Sequence, residues 1–163
     1  ITFPEDDVRS MGRSAGGVRA ISLDDGDEVV SMELDSTGER ELLVMTKKGF
    51  GKRTNLDEYR VQTRGGKGVA TYDKTKFAKT GELVGATLVS DDDEIMLINS
   101  NGVIIRIRAN EISKSGRTTQ GVKIMKVEDG DEIVSFAKVL DEDAAKKPML
   151  KKAKADSEQM TLV

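Results

Sequence analysis

One stretch of the chain decides the fold: Ile95-Met96-Leu97-Ile98-Asn99-Ser100-Asn101-Gly102-Val103-Ile104-Ile105-Arg106-Ile107-Arg108. Two apolar runs flank Ser100-Asn101-Gly102, a composition typical of a tight turn between antiparallel strands. In the second run the apolar residues Val103, Ile105 and Ile107 alternate with a face that carries Arg106 and Arg108. Such a two-residue period predicts a half-buried strand. The stretch therefore predicts a β-hairpin with its arginines on one face.

The same layout occurs earlier in the chain, and it belongs to an internal repeat. The run Leu42-Leu43-Val44-Met45 precedes a turn at Lys47-Lys48-Gly49. The pattern Arg-x-x-x-Gly-Val occurs three times, and its arginines are 51 and 53 residues apart. A fixed period of this length is typical of repeat architectures. The three copies begin at Arg13, Arg64 and Arg117.

Further landmarks keep the same register in all three copies. An acidic residue and a hydrophobic one precede each copy, at Asp7-Val8, Glu58-Tyr59 and Glu111-Ile112. An acidic residue and two apolar ones follow each copy, and we expect each of these triplets to open a strand. The triplets are Glu28-Val29-Val30, Glu82-Leu83-Val84 and Glu132-Ile133-Val134.

These patterns predict an all-β fold of propeller-like blades. No part of the repeats keeps apolar residues at helical spacing for three turns, and a blade-sized unit must cover its faces with neighbouring units. We expect the chain to be a fragment of a larger ring or spiral. The predicted divisions are the tail of a preceding blade at 1–8, blade repeats at 9–59 and 60–112, a partial last blade at 113–140, and a mobile charged tail at 141–163.

Composition excludes several classes of site. The chain has no cysteine and no histidine, so it contains no disulfide, no thiolate or imidazole metal site and no nucleophile–histidine pair. No apolar run approaches the roughly 18 residues that cross a bilayer, so we expect no membrane role and a cytoplasmic location. The net charge is −3, from 26 basic and 29 acidic residues. An interface for nucleic acid would therefore depend on where the charges lie.

The most specific segment is Gln62-Thr63-Arg64-Gly65-Gly66-Lys67-Gly68, which we call the box. It holds two cations on a backbone with few Cβ atoms, so a polyanion can approach closely and meet successive charges at Arg64 and Lys67. It is not a nucleotide-binding P-loop, because the upstream glycine and the Ser/Thr after the lysine are missing. The alternative is a solvated connection between blades.

The ordered motifs resemble the C-terminal domain family of DNA gyrase A over about residues 1–140. The resemblance is carried by the box and by three flanking segments: Phe50-Gly51-Lys52-Arg53-Thr54, Leu56-Asp57-Glu58-Tyr59 and Gly116-Arg117-Thr118-Thr119-Gln120-Gly121-Val122. It implies a β-pinwheel, whose blades exchange strands and whose rim bends duplex DNA. Thr63 departs from the family's usual basic residue. The motif order matches later blades, so the principal box is expected upstream.

The resemblance also implies a role in a larger enzyme, a type II DNA topoisomerase. Wrapped DNA would support ATP-dependent negative supercoiling by a holoenzyme that contains gyrase B and a second copy of gyrase A, on the bacterial nucleoid. ATP and Mg²⁺ would belong to that holoenzyme, and no cofactor is expected in this fragment. A degenerate relative, the corresponding C-terminal domain of topoisomerase IV, is the near alternative. A protein-binding propeller module is the other, although an aromatic content of 4% disfavours an aromatic-rich interface.

Basic positions that recur at the blade period predict a curved positive track, which would bind phosphates despite the negative total charge. Arg13, Arg64 and Arg117 form one such set, and Arg53 with Arg106 forms another. The alternative is that these arginines pair with acidic turns. The candidate DNA-binding residues are Gln62, Arg64, Gly65, Gly66, Lys67, Gly68, Arg13, Lys52, Arg53, Arg106, Arg108 and Arg117.

No residue is assigned to catalysis or to a metal. The acidic groups at 24–28, 91–94 and 128–132 fit no EF-hand spacing and are interpreted as solvated turns. Tyr59 is repeat-equivalent to Val8 and Ile112, so we interpret it as a packing residue. Tyr72 lies in an irregular stretch without an adjacent arginine or acid–base partner.

Overall fold

The computed structural model describes residues 1–35 and 41–139. Two antiparallel sheets account for almost all the regular structure there, which confirms the predicted all-β class. The predicted mobile tail at 141–163 lies outside the described residues. The strands are β1 (Glu41–Thr46), β2 (Phe50–Asn55), β3 (Leu83–Val89), β4 (Glu94–Asn99), β5 (Ile104–Arg108), β6 (Val122–Lys123) and β7 (Ile133–Val139).

Both predicted hairpins are confirmed. β1 pairs with β2, and β4 pairs with β5, each in antiparallel register. The turns place Gly49 at φ 77° and Gly102 at φ 78°, a left-handed conformation that glycine adopts without steric cost. On β5, Ile105 is half-buried whereas Arg106 is exposed, as the two-residue period predicts.

Each sheet combines strands from more than one sequence repeat, and the first sheet also takes β6 from the third repeat. β3 pairs with β1 and β7 pairs with β4, so a hairpin receives its outer strand from the repeat that follows it. The strand orders are β3-β1-β2-β6 and β5-β4-β7. The sheets therefore cross the boundaries of the sequence repeats, which is the strand exchange that the resemblance implies.

The prediction that Glu28-Val29-Val30 opens a strand is wrong. Residues 28–35 have no strand in the described part of the chain, and Val29 and Val30 are 61% and 45% exposed. The equivalent strands β3 and β7 pair with hairpins that lie earlier in the chain. Among residues 1–35 the structure forms no such hairpin, so this segment has no edge to join.

Short 3₁₀ helices mark the repeat. They span Glu5–Asp7, Leu56–Glu58 and Ala109–Glu111, and the next residue closes each with an N–H bond to its first carbonyl, at 2.8, 2.9 and 3.0 Å. The middle repeat adds a 3₁₀ helix at Lys74–Lys76 and a helix α1 at Phe77–Thr80. The equivalent closures confirm the repeat register.

The hydrophobic core lies between the two sheets. Leu43 and Met45 of β1 cluster with Ile95 and Leu97 of β4, all fully buried. Ile133 at the start of β7 joins this cluster. Burial of each such side chain contributes roughly 1.5–3 kcal/mol, so the sheets stabilise each other.

Gly121 offers a test of close packing between repeats. It has φ 73°, and an added Cβ would lie 2.4 Å from the Gly51 carbonyl oxygen; the equivalent Gly17 has φ 77° and open space around it. We expect Gly17→Ala to cost about 1–2 kcal/mol of unfolding free energy from backbone strain. Gly121→Ala should cost about 1–3 kcal/mol more, because backbone must move. Urea unfolding of both variants checks this, and equal losses would contradict the packing interpretation.

Candidate nucleic-acid interface

The box is held against the preceding repeat by backbone hydrogen bonds. The N–H of Gly65 donates to the Ala20 carbonyl at 2.8 Å, and the N–H of Ser22 donates to the Gly66 carbonyl at 2.9 Å. The Ser22 hydroxyl adds a bond of 2.7 Å to the Gly65 carbonyl. Positive φ angles of 85° at Gly65 and 79° at Gly68 shape the loop. The box is therefore an ordered segment with defined partners.

Arg64 of the box and its repeat-equivalent Arg117 link consecutive repeats. Arg64 donates from Nε to the Asp7 carbonyl at 3.1 Å and from its guanidinium to the Arg19 carbonyl. Arg117 donates to the carbonyl of Ala70, which is 51 residues after Arg19 and so repeat-equivalent to it. Both arginines are half-buried. Their role in this structure is to join each copy of the repeat motif to the copy before it.

Lys67 is the cation that the box presents to solvent. Its side chain is 71% exposed, and its ammonium lies 2.5 Å from an Asp24 carboxylate oxygen. The hydrogen bond with Asp24 raises the pKa of Lys67 and, reciprocally, lowers the pKa of Asp24. Because this ion pair is in water, a phosphate can compete with Asp24 for the ammonium.

The side chain of Gln62, unlike that of Lys67, is directed into the protein. Its backbone N–H donates to the Thr2 carbonyl at 2.8 Å, and its side-chain nitrogen is buried with no acceptor in the part of the chain that the structure describes. A buried amide nitrogen does not reach a phosphate on the surface. The candidate role of Gln62 as a DNA contact is therefore not supported by its position.

Three other predicted cations are accessible. Arg13 is exposed, and Arg106 and Arg108 lie on the exposed face of β5. Arg106 forms an ion pair with Glu94, its side chain remaining 57% exposed. These arginines are available to the predicted track.

Lys52 and Arg53, in contrast, are buried, and their prediction as surface contacts is wrong. Lys52 is 0% exposed and Arg53 is 2% exposed, because the segment at 112–119 covers β2. Arg53 donates from Nε to the Ile112 carbonyl at 2.9 Å and forms ion pairs with Glu41 at 2.7 Å and Asp91 at 2.5 Å. Its repeat-equivalent Arg106 is not covered in this way among the described residues.

Lys52 holds the third copy of the motif in place. Its ammonium donates to the Gly116 carbonyl at 2.8 Å and the Arg117 carbonyl at 2.5 Å, and it lies 5.5 Å from the centre of the Tyr72 ring. The Tyr72 hydroxyl donates to the Gln120 carbonyl. Burial lowers the pKa of Lys52 to about 8. No side-chain pattern in the sequence reveals these bonds of Lys52, because their acceptors are backbone carbonyls of another repeat.

Comparison with known proteins identifies the family. The model described as the DNA gyrase C-terminal domain, beta-propeller, matches residues 1–34, 40–90 and 93–139. The chain belongs to this family. The match covers all three repeats and confirms the resemblance stated from the motifs.

Relatives of the gyrase family agree with this result. The chain is 46% identical over 141 residues to the DNA gyrase A protein of Thermotoga maritima (86% of this chain, 17% of that protein). It is 44% identical over 144 residues to the DNA gyrase A protein of Staphylococcus epidermidis ATCC 12228 (88% and 16%). The chain thus spans about a sixth of the length of these relatives.

Solved structures confirm the predicted propeller-type fold. A DNA gyrase A C-terminal domain superposes with a TM-score of 0.78 at 32% identity, over 85% of this chain and 46% of the other. A C-terminal domain of DNA topoisomerase IV gives the same TM-score at 29% identity, over 84% and 42%.

In this gyrase-family chain the two tyrosines contact neighbouring side chains, and the acidic turns of the described residues do not converge on one point. Tyr59 is half-buried, with its hydroxyl 2.5 Å from the Thr71 hydroxyl, and burial raises its pKa. Tyr72 is 3% exposed and stacks on Phe77. In residues 1–35 and 41–139 no three acidic side chains converge as metal ligands would. The same residues form no helix long and apolar enough to cross a membrane.

Arg53 and Arg106 provide a matched pair for mutation. Arg53→Met removes the buried partner of Glu41, whose side chain is only 14% exposed, and leaves it the more exposed Lys114 at 2.5 Å, so we expect a loss of roughly 2–3 kcal/mol of unfolding free energy. Arg106→Met removes an exposed pair and should change stability by less than about 0.5 kcal/mol. Chemical denaturation of the two variants measures both values. A larger loss for Arg106→Met would contradict the burial argument.

The pKa of Lys52 predicts a pH dependence. Its folded-state pKa of about 8 lies below the ordinary 10.5, so between these values the unfolded chain binds the proton that the folded chain releases. The contribution of Lys52 to stability should therefore rise with pH above about 8. Unfolding of the wild type and of Lys52→Met at pH 7 and pH 9.5 gives the test. The wild-type advantage should be larger at pH 9.5, and a smaller advantage there would contradict the lowered pKa.

Proposed function

We propose that the chain binds duplex DNA without sequence preference and bends it along a positive track, as part of a gyrase A protein. The observation that carries the proposal is the ordered box, which presents Lys67 to solvent in a chain of the gyrase C-terminal domain family. Phosphate contacts of this kind position DNA and carry no base information.

The charge distribution supports this proposal. Arg13, Lys67, Arg106 and Arg108 are exposed, whereas the net charge of the whole chain is −3. Lysine and arginine contacts release condensed counterions from DNA, so affinity should fall steeply as salt rises. Arg64 and Arg117 supply positive potential near the copies of the repeat motif, and their guanidinium groups also link consecutive repeats. Binding by the described residues alone is therefore proposed to be weak and general.

The proposed enzyme context is that of the relatives. Wrapped DNA would support ATP-dependent negative supercoiling by a holoenzyme with gyrase B and a second copy of gyrase A. The chain spans 16–17% of the gyrase A relatives, so strand cleavage and the sites for ATP and Mg²⁺ are proposed to lie in other parts of the holoenzyme. The proposed location is the cytoplasm, on the nucleoid.

Topoisomerase IV is the second candidate, because its C-terminal domain superposes with the same TM-score of 0.78. The box favours gyrase, because Arg64, Lys67 and the three glycines of the gyrase-like motif are present in order. The two candidates differ in the intact enzyme. Gyrase introduces negative supercoils, so loss of wrapping should impair supercoiling more than relaxation.

Lys67 and Asp24 give a test of the proposal in this chain. Lys67→Ala should lower the slope of log affinity against log salt by about 0.9, weaken binding to every sequence alike, and leave stability unchanged because the side chain is exposed. Asp24→Asn should strengthen binding, because it frees the Lys67 ammonium. Fluorescence anisotropy with short duplexes between about 50 and 200 mM salt measures both.

Arg64→Ala serves as the contrasting variant. It removes the bonds to Asp7 and Arg19, so we expect lower stability along with weaker binding. The sequence predicts that Arg64 and Lys67 both contact phosphates, whereas in the structure Arg64 also links two repeats and Lys67 does not. Wild-type affinity in Lys67→Ala, or weaker binding by Asp24→Asn, would sink the proposed role of the box.

A further inference from the structure

The middle repeat departs from its neighbours at one loop. After the Arg-x-x-x-Gly-Val motif, the first and third repeats carry acidic turns. These turns are Asp24-Asp25-Gly26-Asp27-Glu28 and Glu128-Asp129-Gly130-Asp131-Glu132. The middle repeat has Asp73-Lys74-Thr75-Lys76-Phe77-Ala78-Lys79-Thr80 in the same place, with three lysines and one aspartate. This exchange reverses the local charge at a single blade.

The exchanged segment is folded and anchored. Asp73 caps its first turn, accepting bonds from the Thr75 N–H at 3.0 Å and the Thr75 hydroxyl at 2.7 Å. The turn of the first hairpin fixes the other end, because the N–H of Lys48 donates to the Thr80 carbonyl at 3.0 Å and its ammonium donates to the Ala78 carbonyl at 2.8 Å. The lysines of the segment are thus displayed from a defined backbone.

A buried aromatic ring gathers two of the cations. Phe50 is 9% exposed, and the ammonium groups of Lys79 and Lys123 lie 5.8 and 5.3 Å from its ring centre. Lys79 follows the box in the middle repeat, whereas Lys123 belongs to β6 of the third repeat. Both residues are exposed. Contact with the ring limits how far each ammonium moves while leaving it open to an anion.

Nearby carboxylates have other partners. Asp73 is engaged in its own turn, and Glu82 pairs with Lys47 at 2.9 Å. Asp24 pairs with Lys67, and Lys74 is close enough to contribute to the lowered pKa of that carboxyl. The segment therefore lies near the box.

We propose that Lys79 and Lys123, which lie over the Phe50 ring, together with Lys48, Lys74 and Lys76 of the adjoining turn and segment, form a second phosphate-binding surface for duplex DNA, which we call the lysine cluster. The inference rests on the proposed function and adds a contact outside the box. The cluster draws on three repeats, with Lys48 in the first, Lys79 in the second and Lys123 in the third, so it binds DNA where the blades meet. The lysines bind successive phosphates of one DNA strand and make no contact with the bases.

Single-charge variants of the 163-residue chain test the lysine cluster. Lys79→Gln and Lys123→Gln each remove one exposed ammonium together with its contact to the Phe50 ring, and both leave the apolar core unchanged. Lys126→Gln is the matched control: Lys126 is also exposed, pairs with Glu128 at 3.2 Å, and lies outside the cluster. The measurement is the salt slope for a short mixed-sequence duplex between about 50 and 200 mM salt, with thermal unfolding as the check on folding.

We expect Lys79→Gln and Lys123→Gln each to lower the slope by about 0.9, the double variant by about twice that, and Lys126→Gln to leave it unchanged. A wild-type slope in the double variant would overturn the lysine cluster. So would an equal loss in Lys126→Gln, which would reveal a response to net charge alone. In both cases the proposed function would stand if the wild type binds and Lys67→Ala weakens it. Failure of the wild type to bind any duplex would overturn both proposals.

Discussion

The constraint on which the structure depends is that a hairpin of one repeat is completed by the repeat that follows. β1 has β2 on one side and β3 on the other, and β3 comes from the next copy of the sequence. The same holds for β4, between β5 and β7. An unpaired strand edge buried against a core would leave its N–H and C=O groups without partners, which is costly. Residues 28–35 form no strand, and the described residues 1–27 contain no hairpin that they could complete.

This dependence divides the basic residues into two groups. A cation that the following repeat covers becomes part of the framework, and Arg53 with its two carboxylates is an example. A buried guanidinium needs such partners, because desolvation of an unpaired charge is unfavourable. Lys67, whose side chain is 71% exposed, keeps its solvent contact and can meet phosphates. Position relative to the next repeat, and not residue type, decides which role a cation takes.

The sequence was sufficient for features that depend on local pattern. Alternation along 103–108 predicts β5, the turn glycines predict both hairpins, and the motif spacing predicts the repeat register, which the 3₁₀ helices share. It was insufficient for contacts between repeats. Arg53 and Arg106 are equivalent in the repeat, and only the chain segment at 112–119 makes one of them a buried residue. The acceptors of Arg64 and Lys52 are backbone carbonyls, whose positions no side-chain pattern reveals.

The lysine-rich loop of the middle repeat, at 73–80, was predictable from the sequence only in part. Its lysines are visible in the sequence at the position of the acidic turns, so the change of charge could have been found by aligning the three copies. Their convergence with Lys123 could not, because β6 reaches Phe50 only through its pairing with β2, where Phe50 is opposite Lys123. The pairing that completes the first sheet thus also brings cations from two repeats to one ring. In this fold the backbone contacts that stabilise neighbouring blades also determine where positive charge gathers on the surface.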